Sequence, residues 1–231
     1  MRIPISVLMC VYNGDNNNWL DISILSVLSQ TYGNISFIIV DDASIDKTPQ
    51  VLQKYAKRDS RIKIITLKKN IGLTKALNHG LNYCDGENIA RQDADDISHP
   101  QRLEKQYSLI EKDNPIGVVG CFYDIIDAEG TKKENKSILP ESVPLSKMNG
   151  IFAGGSAMIR WEVIQELDGY NEEMKYAQDF DMWVRASKKG WKIESIPEVL
   201  YYWRNHRDQI SSKTIDGQQK CRWDIINKYK L

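Results

Sequence analysis

Three carboxylates within four residues form the stretch of this sequence best suited to chemistry. The stretch is Asp93-Ala94-Asp95-Asp96, and it follows Glu87 to Arg91, a segment whose pattern predicts a β-strand. Carboxylate oxygens are the ligands that a hard divalent cation such as Mg²⁺ or Mn²⁺ prefers, and such a cation can in turn bind phosphate. A solvated acidic turn is the alternative for an isolated motif of this kind, so the choice depends on the rest of the chain.

Strand and helix patterns alternate along the first hundred residues. Apolar, β-branched runs predict strands buried on both faces, and apolar residues at helical spacing predict helices between them. The predicted strands are Ile3 to Val11, Ser36 to Val40, Ile62 to Leu67 and Glu87 to Arg91. The predicted helices are Trp19 to Gln30, a segment beginning near Thr48, and Leu73 to Tyr83. This alternation predicts an α/β fold with a mostly parallel, doubly wound sheet flanked by helices.

Polar residues follow three of these strands. Tyr12-Asn13 follows the first strand, Asp41-Asp42 the second, and Asp93-Ala94-Asp95 the fourth. Ligands of doubly wound sheets bind beyond the carboxyl ends of the strands, so we expect these residues to share one site.

The glycine-rich loops that usually cradle phosphate are missing. The sequence contains neither G-x-G-x-x-G after the first strand nor G-x-x-x-x-G-K-[ST], which argues against a dinucleotide dehydrogenase and a P-loop NTPase. Phosphate binding would then need a metal and basic side chains. Asp95 is the candidate for the metal, and Lys75 and Arg91 are the candidates for the positive charges.

The second half of the chain has a less regular pattern. Helices are predicted over Pro100 to Asp113 and Tyr176 to Ala186, and strands over Ile116 to Ile126, Ile151 to Arg160, Trp191 to Ile196 and Val199 to His206. The polar segment 131–149 is predicted as a loop or cover. Gly154-Gly155 would permit close backbone approach by a ligand or a neighbour, and a bulge is the alternative.

Several candidate residues also have a structural interpretation. Asp179 lies near a predicted helix start, where a carboxylate can accept from free backbone N–H groups. Trp183 could belong to the core or present an aromatic face to a sugar. His206 could be a hydrogen-bonded structural histidine. Asp46 and Asp96 are each placed to cap the helix that follows.

Composition excludes several classes of protein. Lys+Arg and Asp+Glu both number 31 in 231 residues, so no overall positive field indicates nucleic-acid binding. The four cysteines are far apart, which argues against a zinc site or a disulfide framework and favours reduced thiols in the cytoplasm. No apolar run is long enough to span a membrane. The basic and aromatic tail 213–231 could pack on the domain, which we favour, or lie on the inner face of the cell membrane.

Five segments together resemble the family 2 glycosyltransferases, which are inverting enzymes with the GT-A fold. The segments are Val7 to Asn13, Ile39 to Thr48, Asn70 to Asn78, Ile89 to Ile97 and Gln178 to Trp183. The resemblance spans nearly the whole chain and predicts one domain over 1–231. Its nucleotide-sugar-binding half would be 1–98 and its acceptor-side half 99–212, followed by the tail.

The resemblance also implies a reaction. The donor would be a nucleotide-diphosphate sugar, usually a UDP-sugar, and the acceptor a glycan or lipid-linked saccharide of bacterial polysaccharide synthesis. Mn²⁺ or Mg²⁺ would be the cofactor. Whether the chain forms a homodimer is left open. The nucleotide-sugar would be bound by Val11, Tyr12, Asn13, Asp41, Asp42, Asn70, Lys75, Arg91, Asp93 and Ala94, with Lys75 and Arg91 beside the diphosphate.

The same resemblance assigns the remaining roles. Asp95 would bind the metal, Asp93 would reach the ribose or the metal through water, and His206 would reach the metal or the diphosphate. Asp179 would be the general base, with Gln178 and Trp183 near the acceptor. Gln178 stands where family members commonly have Glu, and loss of that negative charge should lower the pKa of Asp179. A catalytically inactive module that binds a nucleotide sugar or a glycan is the alternative. A nucleotidyltransferase is disfavoured because no glycine-rich basic loop follows the first strand.

Overall fold

The computed structural model describes residues 3–15, 17–112, 115–136, 152–207, 209 and 215–230. The α-helices are α1 (Trp19–Leu28), α2 (Thr48–Ala56), α3 (Leu73–Leu81), α4 (Arg102–Ile110), α5 (Trp161–Leu167), α6 (Gln178–Lys188) and α7 (Ile215–Tyr229). The strands are β1 (Ile3–Val11), β2 (Ile35–Asp41), β3 (Ile62–Thr66), β4 (Gly86–Asp93), β5 (Ile97–Ser98), β6 (Ile116–Ile126), β7 (Lys132–Lys136), β8 (Met158–Arg160) and β9 (Lys192–Arg204).

The strands form one continuous sheet with a regular side and a mixed side. Its order is β3-β2-β1-β4-β8-β6-β9-β5, and β7 pairs with β6. The first four strands are all parallel, as the alternation predicted. Beyond β4, strand β8 runs antiparallel to both β4 and β6, whereas β9 runs parallel to β6. The sheet therefore changes direction next to β4, the strand that carries the acidic stretch.

Alternate residues of the central strands enter two separate cores. Val7 and Met9 of β1 pack with the face that carries Leu20 and Leu52 of α1 and α2. Leu8 packs on the opposite face with residues of α3, including Leu77. Helices therefore cover both faces of the parallel strands, which confirms the predicted α/β class.

Three predicted elements differ from the structure. The predicted strand Ile151 to Arg160 is a 3₁₀ turn, Gly154–Ser156, followed by the short β8. The two strands predicted on either side of Pro197 are one long strand, β9, which shifts register against β6 between Cys121 and Phe122. The segment predicted as a loop over 131–149 includes β7, and its residues 137–149 lie outside the described ranges. Helix α5 was not predicted.

The C-terminal helix α7 packs on α6. Ile225 is buried and forms a small core with Phe180 and Val184, which supports the packing alternative for the tail. None of the helices in the described ranges is long and apolar enough to cross a membrane. All four cysteines are free thiols. The proposed division at residues 98 and 212 stays a prediction.

Candidate active site

The polar strand ends meet at one edge of the sheet. In the register of the sheet, Val11 lies beside Asp41, and Cys10 lies beside Asp93. The ends of β1, β2 and β4 are therefore neighbours, which is the arrangement expected from the parallel order.

Two aspartates organise the loops that follow β2 and β3. Asp42 accepts hydrogen bonds from the backbone N–H groups of Ile71 and Gly72, at 2.8 and 2.9 Å. Asp41 accepts from the Ser44 N–H (2.9 Å). These bonds fix the loop that leads into α3, whose first turn carries the exposed Lys75. Lys75 and the preceding Asn70, also exposed, are thus open to a ligand at this edge.

The Asn13 turn is tied to the same loop. Asn13 donates its backbone N–H to Ser44 Oγ (2.9 Å), and its Oδ1 accepts from the Ile45 N–H (2.9 Å). The neighbouring Tyr12 is half exposed. Asp46 accepts from the N–H groups of Thr48 and Asp15, so its cap-like role at the start of α2 is accompanied by a contact with the first loop.

Arg91 is the buried centre of the site. Its side chain is 1% exposed, and its Nη2 donates to Asp93 Oδ1 at 3.0 Å. Its Nη1 donates to Asp179 Oδ1 at 3.3 Å and to the Tyr170 hydroxyl at 3.2 Å. Both terminal nitrogens of the guanidinium thus have protein partners and are shielded from solvent, whereas its Nε is buried without a hydrogen-bond partner among the described residues. The prediction that Arg91 lies beside the diphosphate stays a prediction.

The pKa values of the two carboxyls reflect their burial. Burial raises the pKa of Asp93 to about 6, against the lowering effect of Arg91. Burial also raises the pKa of Asp179, although Arg91 and Arg222 oppose the shift. The expected lowering by the neutral Gln178 is therefore outweighed by desolvation. Asp179 is the second residue of α6, so its position near a helix start is confirmed.

The paired glycines approach these carboxylates from the other side. A Cβ atom on Gly154 would lie 1.9 Å from Asp179 Oδ2, and one on Gly155 would lie 2.5 Å from Asp93 Oδ2. Any side chain at either position would displace a carboxylate. The close backbone approach expected of Gly154-Gly155 is therefore to site residues.

A second cluster surrounds Asp95. His206 Nε2 lies 2.8 Å from Asp95 Oδ2, which joins residues 111 positions apart in the sequence. The imidazole also packs against Trp19, with 4.5 Å between ring centroids. The structure thus brings together two of the three residues predicted to reach a metal.

Arg204 holds the backbone of the acidic loop. Its Nε donates to the Asp95 carbonyl (2.8 Å), and its backbone N–H donates to Asp96 Oδ1 (2.7 Å). Asp96 is buried, and α4 begins only at Arg102. The prediction that Asp96 caps this helix is wrong, because the carboxylate instead binds the end of β9.

The Asp95–His206 pair fits a divalent metal. Within the described residues, no group of three or more His, Cys, Asp or Glu side chains could hold an ion. Mg²⁺ in phosphate-transfer sites is commonly bound by one or two carboxylates, with substrate phosphates and water completing its shell. Asp95, which is 34% exposed, supplies the carboxylate, and the largely buried His206 adds an imidazole nitrogen, a ligand that transition-metal ions accept more readily than Mg²⁺ does.

Trp183 does not present an aromatic face. It is 7% exposed and packs against Phe152 in the core, with 5.5 Å between ring centroids. The core interpretation is correct, and the acceptor role predicted for Trp183 is not supported. Gln178, at the start of α6, is also buried, and Ala94 is partly buried against the core.

Sequence reasoning missed Tyr170, Arg204 and Trp19 as parts of the site. Tyr170 and Arg204 are separated from the acidic stretch by long segments and belong to no motif that the sequence revealed. They come close to the acidic stretch only because the second half of the chain folds against the end of β4.

The chain matches the model of the family described as glycosyl transferase family 2 over residues 6–168, which is more than half of its length. The chain belongs to glycosyl transferase family 2. Among curated relatives is EpsE of Bacillus subtilis (strain 168), a protein named as a glycosyltransferase. The two are 37% identical over 216 residues, which cover 91% of this chain and 76% of EpsE. It is 33% identical over 220 residues to the O-antigen biosynthesis glycosyltransferase WbnJ of Escherichia coli, covering 91% and 83%.

Solved structures show the same fold at lower identity. The S. aureus TarS 1-349 structure in complex with UDP-GlcNAc aligns with a TM-score of 0.73 and 21% identity, covering 90% of this chain and 60% of TarS. The mannosyltransferase PcManGT from Pyrobaculum calidifontis, in complex with GDP-Man and Mn²⁺, aligns with a TM-score of 0.78 and 16% identity, covering 99% and 65%. The chain thus spans less than two thirds of these structures. The predicted GT-A fold is confirmed.

Proposed function

We propose that this family 2 member transfers a sugar, with inversion, from a nucleotide-diphosphate sugar to a saccharide or lipid-linked saccharide acceptor. A UDP-sugar is the donor we favour, and bacterial polysaccharide synthesis is the process. The observation that carries the proposal is the meeting of Asp95–His206 and Asp93–Arg91–Asp179 at one sheet edge. One group supplies metal ligands, and the other supplies a carboxylate able to act as a base.

The position of Asp179 supports the base role proposed for it. Its Oδ1 is engaged by Arg91, which leaves Oδ2 beside Gly154 as the atom to accept a proton. In the proposed reaction, Oδ2 takes the proton of an acceptor hydroxyl as its oxygen bonds to the anomeric carbon. The bond from that carbon to the diphosphate breaks, and the nucleoside diphosphate leaves with the electron pair. Attack opposite the leaving group inverts the configuration.

The donor side has its own support. The end of β2, the Asn13 turn and the start of α3 form a polar edge, with Lys75 as an exposed cation for the diphosphate. Asp93 is proposed for the ribose, and Asp95 with His206 for the metal. A bound Mn²⁺ or Mg²⁺ would neutralise the negative charge that grows on the leaving diphosphate.

The relatives guide the choice of donor. TarS is solved with UDP-GlcNAc and PcManGT with GDP-Man and Mn²⁺. A panel of UDP-GlcNAc, UDP-galactose, UDP-glucose and GDP-mannose, each with Mn²⁺ or with chelator, tests the proposal through thermal stabilisation and release of nucleoside diphosphate. We expect metal-dependent release with one UDP-sugar. Stabilisation without release, even with added saccharide acceptors, would favour the inactive binding module. If no nucleotide sugar gave either stabilisation or release, nucleotide-sugar binding would be contradicted.

A further inference from the structure

Arg91 lies in a position where a charged side chain is energetically unfavourable. It is on β4, beside Leu8 of β1 in the centre of the sheet, and it is 1% exposed. A buried charge is strongly unfavourable unless it is paired and hydrogen-bonded. Burial alone would lower the pKa of its guanidinium, but Tyr170, Asp93 and Asp179 reverse the shift and raise it. The side chain therefore stays charged and depends on these partners.

The fork of the guanidinium joins two carboxylates with different proposed roles. Nη2 binds Asp93 at 3.0 Å, and Nη1 binds Asp179 at 3.3 Å. These residues are 86 positions apart, and one is assigned to the donor side and the other to the acceptor side. Because the guanidinium is planar and rigid, its two nitrogens fix both the distance and the direction between the carboxylates. A lysine ammonium is a point charge and could not do so.

The glycine pair completes this arrangement. Oδ1 of each carboxylate faces Arg91, whereas Oδ2 of each lies within 2.5 Å of where a Cβ would stand on Gly154 or Gly155. Each carboxylate is thus confined between a charged fork and a backbone without side chains. Tyr170 holds Nη1 from a third direction.

We propose that Arg91 is a positioning residue that sets the general base against the donor through a single buried guanidinium. The inference rests on the proposed function of Asp179 and Asp93 and goes beyond it, since it gives Arg91 no contact with substrate. Misplacing a catalytic group by an ångström commonly costs about 100-fold in rate.

Arg91→Lys tests the role of the fork, and Arg185→Lys is the matched control. Arg185 is on α6 and also binds an aspartate, Asp181, and two carbonyls, but neither site carboxylate. Turnover is measured with the nucleotide sugar hydrolysed in the panel above, and affinity with UDP and Mn²⁺ by calorimetry. We expect Arg91→Lys to lower kcat by about 100-fold while UDP affinity falls much less. Arg185→Lys should lower the melting temperature with little change in kcat.

Tyr170→Phe covers the case in which Arg91→Lys fails to fold. It removes one hydroxyl partner of Nη1 and keeps the buried ring. We expect a smaller loss of kcat, of about tenfold, with UDP affinity unchanged. Unchanged kcat in Tyr170→Phe, or a loss of UDP affinity as large as the loss of kcat in Arg91→Lys, would overturn the proposal; the latter would make Arg91 a donor ligand.

Asp179→Asn, measured in parallel, separates the two levels of the hypothesis. If this variant keeps full kcat, the proposed base is wrong, whatever Arg91→Lys does. If it loses kcat while Arg91→Lys and Tyr170→Phe keep theirs, the proposed function stands and only the positioning role fails.

Discussion

Asp95 and Asp179 have similar exposure and different surroundings. Their side chains are 34% and 24% exposed, and each is joined to a partner far along the chain. Asp95 pairs with His206, whose imidazole can itself be a metal ligand, whereas Asp179 pairs with the permanently charged Arg91. The difference fits the roles proposed for them, Asp95 at a metal and Asp179 as a base. A base must be held in one place to be effective.

The largest effect is expected from Asp95→Asn. Loss of the carboxylate charge should abolish Mn²⁺-dependent turnover of the nucleotide sugar, because the leaving diphosphate would lose its metal. Asp59→Asn is the control, since Asp59 pairs with Arg61 before β3, at the opposite edge of the sheet. Full activity of Asp95→Asn in the presence of chelator would rule out the metal role.

Asp179→Asn should have the next largest effect. We expect kcat to fall by about two to four orders of magnitude, the usual contribution of a general base. The melting temperature should fall as well, because the buried Arg91 loses one charged partner, although the amide keeps the shape of the carboxylate and can still accept from Arg91. A variant with normal kcat and a much lower melting temperature would show that Asp179 only stabilises the start of α6.

Gly154→Ala probes the packing around the base. The added methyl group would lie 1.9 Å from Asp179 Oδ2, so the carboxylate must move. We expect kcat to fall by about 100-fold, as for other small displacements of catalytic groups. Gly33→Ala is the matched control, because no atom lies within 4 Å of its added methyl group. Equal activity of the two variants would show that the position of Oδ2 is not critical.

His206→Gln should have a smaller effect, and we expect it to change the affinity for the metal. His206 is proposed as a metal ligand beside Asp95, and its loss should weaken metal binding by at least the roughly 10- to 100-fold that is typical of losing a residue that supports a ligand. The concentration of Mn²⁺ needed for half-maximal turnover should therefore rise, while kcat at saturating Mn²⁺ stays near normal. A fall in kcat that extra Mn²⁺ does not restore would place His206 on the substrate instead.

The pH dependence of kcat should report Asp179. Burial raises the pKa of Asp179 above its ordinary value of 3.8, so protonation removes the base at a higher pH than for an exposed aspartate. At saturating donor, kcat should therefore fall as the pH decreases, with a midpoint above 3.8. A kcat that stays constant down to the ordinary value would contradict the assignment.

The regular side of the sheet was predictable from the sequence, and the mixed side was predictable only in part. Strand β1 has the predicted ends, Ile3 and Val11, because unbroken apolar runs and turn residues act locally. Asp41 and Asp93 could be placed at one edge because parallel order implies it. The Asp179–Arg91 contact could not, since it depends on how β8 and the glycine turn set α6 against β4.

One misassignment and one incomplete prediction have the same physical origin. Asp96 was expected to act as a cap on local residue preference, and Arg91 was expected at the diphosphate because it is basic and near the motif. Both side chains are buried. The partner of Asp96 is Arg204, 108 positions further along the chain, and the partner of Arg91 is Asp179, 88 positions further along. Local sequence shows which groups are charged, but burial decides what they can contact.

Calorimetric titration of UDP with Mn²⁺ into Asp95→Asn and Asp179→Asn tests most directly whether one carboxylate binds the metal and the other acts as the base. The account predicts that Asp179→Asn binds UDP with the affinity of the wild type, and that Asp95→Asn loses the part of the affinity that depends on Mn²⁺. Equal weakening in both variants, or normal Mn²⁺-dependent binding in Asp95→Asn, would contradict the separation of a metal site from a base.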